Sequence, residues 1–200
     1  MEYLVTMTTQ VPEGTPDETV GQVRAREADR SRELAAGKHL LRLWRPPLRP
    51  GEWRTLGLFA AADDAQLEEI LASMPLHVWR TDEVTPLAAH PNDPGQPPVP
   101  GATEFLTTFT ITIPAGTPGQ AVEAAEAGEA ERAKELADQG HLLRLWELPG
   151  PGRALGLWRA QDPAEMQAIV ASLPLDPWMA TEITPLTPHP SDPASAGSRS

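Results

Sequence analysis

The sequence has no cysteine, which excludes disulfides, thiolate metal sites and cysteine nucleophiles and is compatible with a reducing compartment. Long apolar runs are also missing. No stretch approaches the ~18 residues needed to cross a bilayer, and the opening Met1-Glu2-Tyr3-Leu4-Val5-Thr6-Met7 lacks the cationic and apolar regions of a signal peptide. A cytoplasmic protein without membrane contact is expected. Basic residues are scarce: 16 Lys plus Arg face 28 Asp plus Glu, for a net charge of −12. With no basic block to displace counterions from phosphates, nucleic acid is not an expected partner. The five histidines include no His-x-x-x-His pair and no compact cluster with carboxylates, so no metal is expected, and a phosphate-binding loop is missing too.

What is plentiful is turn chemistry, with 23 prolines and 15 glycines gathered between periodic segments. The 200 residues suffice for one ordinary domain or two small ones, and internal repetition favours two. His39-Leu40-Leu41-Arg42-Leu43-Trp44 recurs as His141-Leu142-Leu143-Arg144-Leu145-Trp146, an offset of 102 residues (141 − 39) that also pairs Glu27 with Glu129. Downstream the offset becomes 99 (155 − 56), matching Leu56-Gly57-Leu58-Phe59 to Leu155-Gly156-Leu157-Trp158 and His90-Pro91-Asn92-Asp93-Pro94 to His189-Pro190-Ser191-Asp192-Pro193. The lost residues fall between Pro46–Glu52 and Leu148–Gly152, a connection of variable length. The expected organisation is one copy over residues 1–93, a Pro/Gly-rich linker over 94–102, a second copy over 103–192 and a disordered tail over 193–200.

Within the first copy, Tyr3–Val11 reads as a strand. Thr15-Pro16-Asp17-Glu18 reads as a helix start, with Thr15 as cap and Pro16 in the first turn, and the helix closes near Gly37. Lys38–Arg45 and Trp53–Ala60 are strand-like, Asp63–Ser73 carries apolar residues at helical spacing, and Val78–Leu87 closes the copy as a strand. The order β-α-β-β-α-β is that of ferredoxin-like folds. The expected class is α+β: two ferredoxin-like βαββαβ units with antiparallel sheets. A sheet covered by helices on one face leaves the other free, so the two units suit a pseudo-dimer of the dimeric α/β-barrel kind, although pairing with other chains is also open.

Three sets of residues stand out chemically. Val20, Val23, Glu27 and Leu34 share one helical stripe, and Val122, Ala125, Glu129 and Leu136 repeat it, so a carboxylate interrupts the apolar face in both copies. Burial raises such a carboxyl toward the range useful for proton transfer, whereas an arginine partner lowers it and makes a structural bridge instead. Arg42 and Arg144 lie among apolar residues of a strand and need an anion, either a ligand carboxylate or a protein acid. His39 and His141 open the same strands; Trp44 and Trp146 follow in them, as core residues or as walls of a pocket. Gly57 and Gly156, inside a strand pattern, mark a close approach or a bulge.

The helix segment Arg24-Ala25-Arg26-Glu27-Ala28-Asp29, the Leu43-Trp44-Arg45 strand, the Met74-Pro75-Leu76 turn and the closing Glu83-Val84, Leu87 and His90-Pro91 together resemble the muconolactone delta-isomerase family, over nearly the whole chain in two tandem copies. The resemblance implies a cofactor-independent isomerase that moves a C=C bond by proton transfer in a carboxylated lactone, an intermediate of aromatic catabolism. Glu27 or Glu129 would take the acidic proton beside the lactone carbonyl and return it elsewhere. Arg42 or Arg144 would hold the substrate carboxylate or the enolate, with His39, His141, Trp44 and Trp146 as further candidates for substrate binding. It also implies a homo-oligomeric ring, in which five tandem chains would replace ten single units. The chain departs from the family pattern at Ala28 and Ala130, where a Lys usually follows the helix Glu, and at Arg42 and Arg144, where a His is usual. Arg45 becomes Glu147 in the second copy, and Arg80 and Asp82 replace positions that are apolar in the family, so the two pockets are not equivalent. Two other readings of the scaffold are a cyclase or isomerase of a larger biosynthetic intermediate and a non-catalytic binding or assembly module.

Overall fold

A computed structural model describes residues 1–97 and 103–198. The chain forms β1 (Glu2–Thr9), α1 (Asp17–Ala36), β2 (Leu40–Arg45), β3 (Arg54–Ala60), α2 (Asp64–Ala72) and β4 (Arg80–Ala89). The series repeats as β5 (Glu104–Ile111), α3 (Gly119–Asp138), β6 (Leu142–Glu147), β7 (Arg153–Arg159), α4 (Pro163–Ala171) and β8 (Met179–Pro188). The fold is α+β, two ferredoxin-like βαββαβ units with all strand pairs antiparallel.

The units do not coincide with the repeats. The first unit comprises Met1–Leu87 together with Thr187–Ser200, and the second Ala88–Leu186. Each repeat's closing segment therefore belongs to the other repeat's unit. In the first unit β4, β1, β3 and β2 lie side by side, and the end of β8 continues the sheet, Trp44 facing Pro188 and Arg45 facing Thr187. In the second, β8, β5, β7 and β6 repeat the order and the end of β4 adds Ala88 opposite Glu147.

Alternation along β1 is strict: Tyr3, Val5, Met7 and Thr9 are buried and the residues between them are less so, as expected for a strand with one covered face. Tyr3, Val5 and Met7 meet Leu34 of α1 and Leu67, Ile70 and Leu71 of α2 in the first core; Phe105, Phe109, Leu136, Met166, Ile169 and Val170 do the same in the second. The strand glycines are close-approach positions. A Cβ on Gly57 would press into the Phe59 ring and come 2.9 Å from Met7 Cε, and one on Gly156 would overlap the Trp158 indole and lie 2.8 Å from Thr107 Oγ1.

Several local expectations are corrected. Pro16 is the cap residue of α1 and no side chain caps it; the Thr15 hydroxyl donates instead to Pro12 O at 2.7 Å. Gly37 is right-handed, and the left-handed residue that turns the chain toward β2 is Lys38, with φ 58°. β2 carries an irregularity between Leu40 and Arg42, so both Leu43 and Trp44 are buried where simple alternation predicts one. Pro193–Ser198 forms a short 3-10 helix where the sequence suggested a frayed tail; Arg199, Ser200 and linker residues 98–102 lie outside the described residues.

Candidate active site

In the first unit a cavity of about 300 Å3 is lined by Arg24, Glu27 and Ser31 of α1, Met7 and Thr9 of β1, Leu43 and Arg45 of β2, Trp53, Leu76, Arg80 and, from the chain's far end, His189. Glu27 reaches it because the stripe Val23, Ser31 and Leu34 turns its side of α1 inward. Its Oε2 accepts the Leu76 N–H at 2.8 Å. Leu76 follows Pro75, which has no N–H, so the carboxylate meets the first available donor of the 3-10 turn Pro75–Trp79. Its Oε1 lies 3.3 Å from Arg80 Nη1.

Arg80 is itself sunk, its side chain 2% exposed, and is shared with Asp82, whose Oδ1 is 2.6 Å from Nε. One buried cation thus serves two carboxylates. Burial pushes the Glu27 carboxyl above its ordinary range; the Leu76 N–H and Arg80 pull it down, Asp82 pushes it up, and the balance is upward. That direction suits a base that must take and then give back a proton near neutral pH.

His189 completes the cavity. Its Nδ1 accepts the Ser191 N–H at 3.1 Å, which leaves the proton of the neutral ring on Nε2. Burial, then the positive charges of Arg45 and Arg24, against the opposing pull of Asp192, hold its pKa down at about 4. At neutral pH it is an uncharged hydrogen-bond donor. Arg24 is propped by Trp53, its guanidinium 5.3 Å from the ring centroid.

The second unit has a matching cavity of about 350 Å3, lined by Glu126 and Glu129 of α3, Phe109, Ile111, Leu145, Glu147, Trp158, Leu175, Met179 and His90. Glu129 Oε2 accepts the Leu175 N–H at 3.0 Å, the counterpart of the Glu27 contact. Burial raises its carboxyl, the Leu175 N–H opposes and Asp176 adds to the rise, with Met179 standing where the first unit has Arg80. His90 Nδ1 accepts the Asn92 N–H at 3.1 Å, and burial lowers its pKa against the opposing pull of Glu147 and Asp93.

Of the eight candidate catalytic and substrate-binding residues, Glu27 and Glu129 line these cavities and the other six do not. Arg42 is held by Asp192, with Nε 3.2 Å from Oδ1 and Nη2 3.1 Å from Oδ2, in a pair whose side chains are 7% and 1% exposed. Arg144 meets Asp93 at 3.2 Å in the same way, less deeply buried. The anion that each strand arginine needs is thus the aspartate of a His-Pro-x-Asp-Pro segment, which also accepts the N–H of Leu43 or Leu145. Trp44 and Trp146 lie buried beneath the guanidiniums, 4.7 and 4.6 Å from ring centroid to Arg42 and Arg144. His39 Nδ1 is 3.1 Å from Ala60 O and His141 Nδ1 3.0 Å from Arg159 O, tying β2 to β3 and β6 to β7 at their ends. Arg24 and His189, with their counterparts Glu126 and His90, are among the lining residues to which the sequence had assigned no role. Their signal was present: Arg24 meets Glu126 at the 102-residue offset, and His189 opens a motif found in both copies.

The sequence profile described as Muconolactone delta-isomerase matches residues 1–93 and again residues 103–192. The chain belongs to the muconolactone delta-isomerase family. Muconolactone Delta-isomerase 1 of Acinetobacter lwoffii is 32% identical over 92 residues, 46% of this chain and 93% of that protein. The muconolactone Delta-isomerase of Cupriavidus pinatubonensis is 29% identical over 92 residues, 46% of this chain and 97% of that protein. Each family relative thus corresponds to about half of the chain. Among solved structures, a chlorite dismutase variant from Candidatus Nitrospira defluvii superposes with a TM-score of 0.63 at 13% identity, covering 94% of this chain and 91% of that one. A heme-binding protein from Thermus thermophilus gives 0.61 at 12%, covering 96% and 93%. These two share the fold with this member of the isomerase family. Among the described residues no helix is long and apolar enough to cross a membrane, and no group of three His, Asp or Glu can hold a metal ion.

Proposed function

We propose that the first unit's cavity isomerises a carboxylated unsaturated lactone by proton transfer, with Glu27 as the acid–base residue. The observation that carries this reading is a carboxylate in an arginine-lined cavity, raised by burial and steadied by the Leu76 N–H. Glu27 takes the acidic C–H proton of the lactone. The electron pair of that bond moves into the conjugated system, placing negative charge on the carbonyl oxygen. Glu27 then gives a proton, or in D2O a deuteron once its carboxyl has exchanged, to another carbon of the dienolate, and the double bond has moved. His189 Nε2–H and the guanidiniums supply the hydrogen bonds and positive field for the developing oxyanion. Nothing else is consumed, so acid–base chemistry suffices. The cavity, near the lower end of the ~300–1,000 Å3 range of ligand sites, suits a single-ring substrate better than a large biosynthetic intermediate.

The test is proton NMR of muconolactone in D2O with the wild-type protein, Glu27→Gln and Glu129→Gln. Loss of isomerisation and of deuterium wash-in with Glu27→Gln alone supports the assignment. An unchanged rate in Glu27→Gln overturns it, and no turnover by wild type moves the function to another substrate or to a binding role. Light scattering tests the homo-oligomeric ring that the family resemblance implies; a monomer rejects it.

A further inference from the structure

The two cavities share a backbone frame and a buried glutamate but differ in charge at matched positions. At the first, Arg24 and Arg45 flank His189, and both depress its protonation. At the second, the same positions carry Glu126 and Glu147. Neither Arg24 nor Arg45 has an ion-pair partner among the described residues, so both keep donors for an incoming anion. The prop beneath Arg24 has no counterpart either. The position of Trp53 is occupied by Gly152, at φ 64°, where a Cβ would stand 2.8 Å from Ile111 O, so no side chain fits there.

We infer that the chain has one anion-handling cavity, in the first unit, where Arg24 and Arg45 receive the ligand's carboxylate, and that Glu126 and Glu147 bar carboxylates from the second. The inference rests on the isomerase reading only for its choice of a lactone carboxylate as ligand. Two guanidiniums at a half-open mouth offer forked donors to a carboxylate, whereas two glutamates there repel it and leave an apolar chamber behind them. Duplication has therefore separated the cavities by ligand charge rather than doubled one site.

The experiment is isothermal titration of the wild-type chain with the saturated lactone (5-oxotetrahydrofuran-2-yl)acetate, which has no double bond to move. One equivalent per chain is expected. Arg24→Met/Arg45→Met is expected to weaken binding by about 30-fold or more, and Glu126→Arg/Glu147→Arg to add a second equivalent; all four side chains are exposed, and thermal melts check that each variant folds. Two equivalents or none in the wild type, undiminished binding in the arginine variant, or a single equivalent in the glutamate variant would overturn the inference. One equivalent without turnover of muconolactone leaves the inference standing and sinks the isomerase reading; turnover with two equivalents does the reverse.

Discussion

The two cavities make the same hydrogen bond for opposite surroundings. Glu27 and Glu129 each accept the N–H of a leucine that follows a proline, and burial raises both carboxyls. Around Glu27 stand Arg24, Arg45 and Arg80; around Glu129 stand Glu126, Glu147 and Met179. If only the first cavity turns over substrate, as proposed, a buried glutamate is not by itself a mark of catalysis in this fold. Its bond to the turn is present in both copies, and on the proposed reading the charges beside it decide whether a carboxylated substrate can approach.

The comparison breaks most sharply on rate. Glu27→Gln is expected to lower turnover of muconolactone by about 100- to 10,000-fold, the usual contribution of a positioned acid–base group, while Glu129→Gln leaves initial rates essentially unchanged. Equal losses in both variants would mean that both cavities work. Stability separates the units next. Asp192→Asn strands Arg42 in a pair that is almost fully buried and is expected to cost about 3–5 kcal/mol in urea unfolding. Asp93→Asn, beside the more exposed Arg144, is expected to cost on the order of 1–2 kcal/mol.

A smaller effect sharpens the electrostatic difference. Arg80→Met with Asp82→Thr gives the first cavity the residues of Met179 and Thr181. Arg80 lowers the Glu27 carboxyl more than Asp82 raises it, so the acid limb of the kcat/KM profile should move to higher pH. A limb that stays in place would show that Arg80 does not tune Glu27. The smallest effect is on pH-dependent stability. Glu129 has a folded pKa raised above its unfolded value, so between the two values the folded chain binds more protons and stability falls as pH rises through that window. Glu129→Gln removes this titration while keeping an oxygen to accept the Leu175 N–H. Its melting temperature relative to wild type should therefore be higher at pH 7.5 than at pH 4, and an equal difference at both would show the carboxyl to be unperturbed.

Repetition and periodicity are local signals, and what depends on them was legible. The 102-residue offset and the alternation of β1 lead to two ferredoxin-like units, and Glu27 shows itself as a break in an apolar helical stripe. Arg42 was harder. It visibly required an anion, but the acid that answers it is 150 residues away, beyond any spacing argument. The irregularity in β2 is set by pairing with β3 and leaves no residue signature in Leu40-Leu41-Arg42. The place of His189 in the first cavity follows from the exchanged ends, which a register of matched residues does not reveal because it pairs like with like.

Those exchanged ends set an order of manufacture. Residues 1–87 leave the ribosome first, yet the histidine that lines their cavity and the aspartate that neutralises Arg42 are made some hundred residues later. The second unit, by contrast, holds all of Ala88–Leu186 before Thr187 is added. The half of the molecule that begins first is thus finished last. A nascent chain halted before residue 189 would lack both the histidine that lines the cavity around Glu27 and the aspartate that pairs with Arg42.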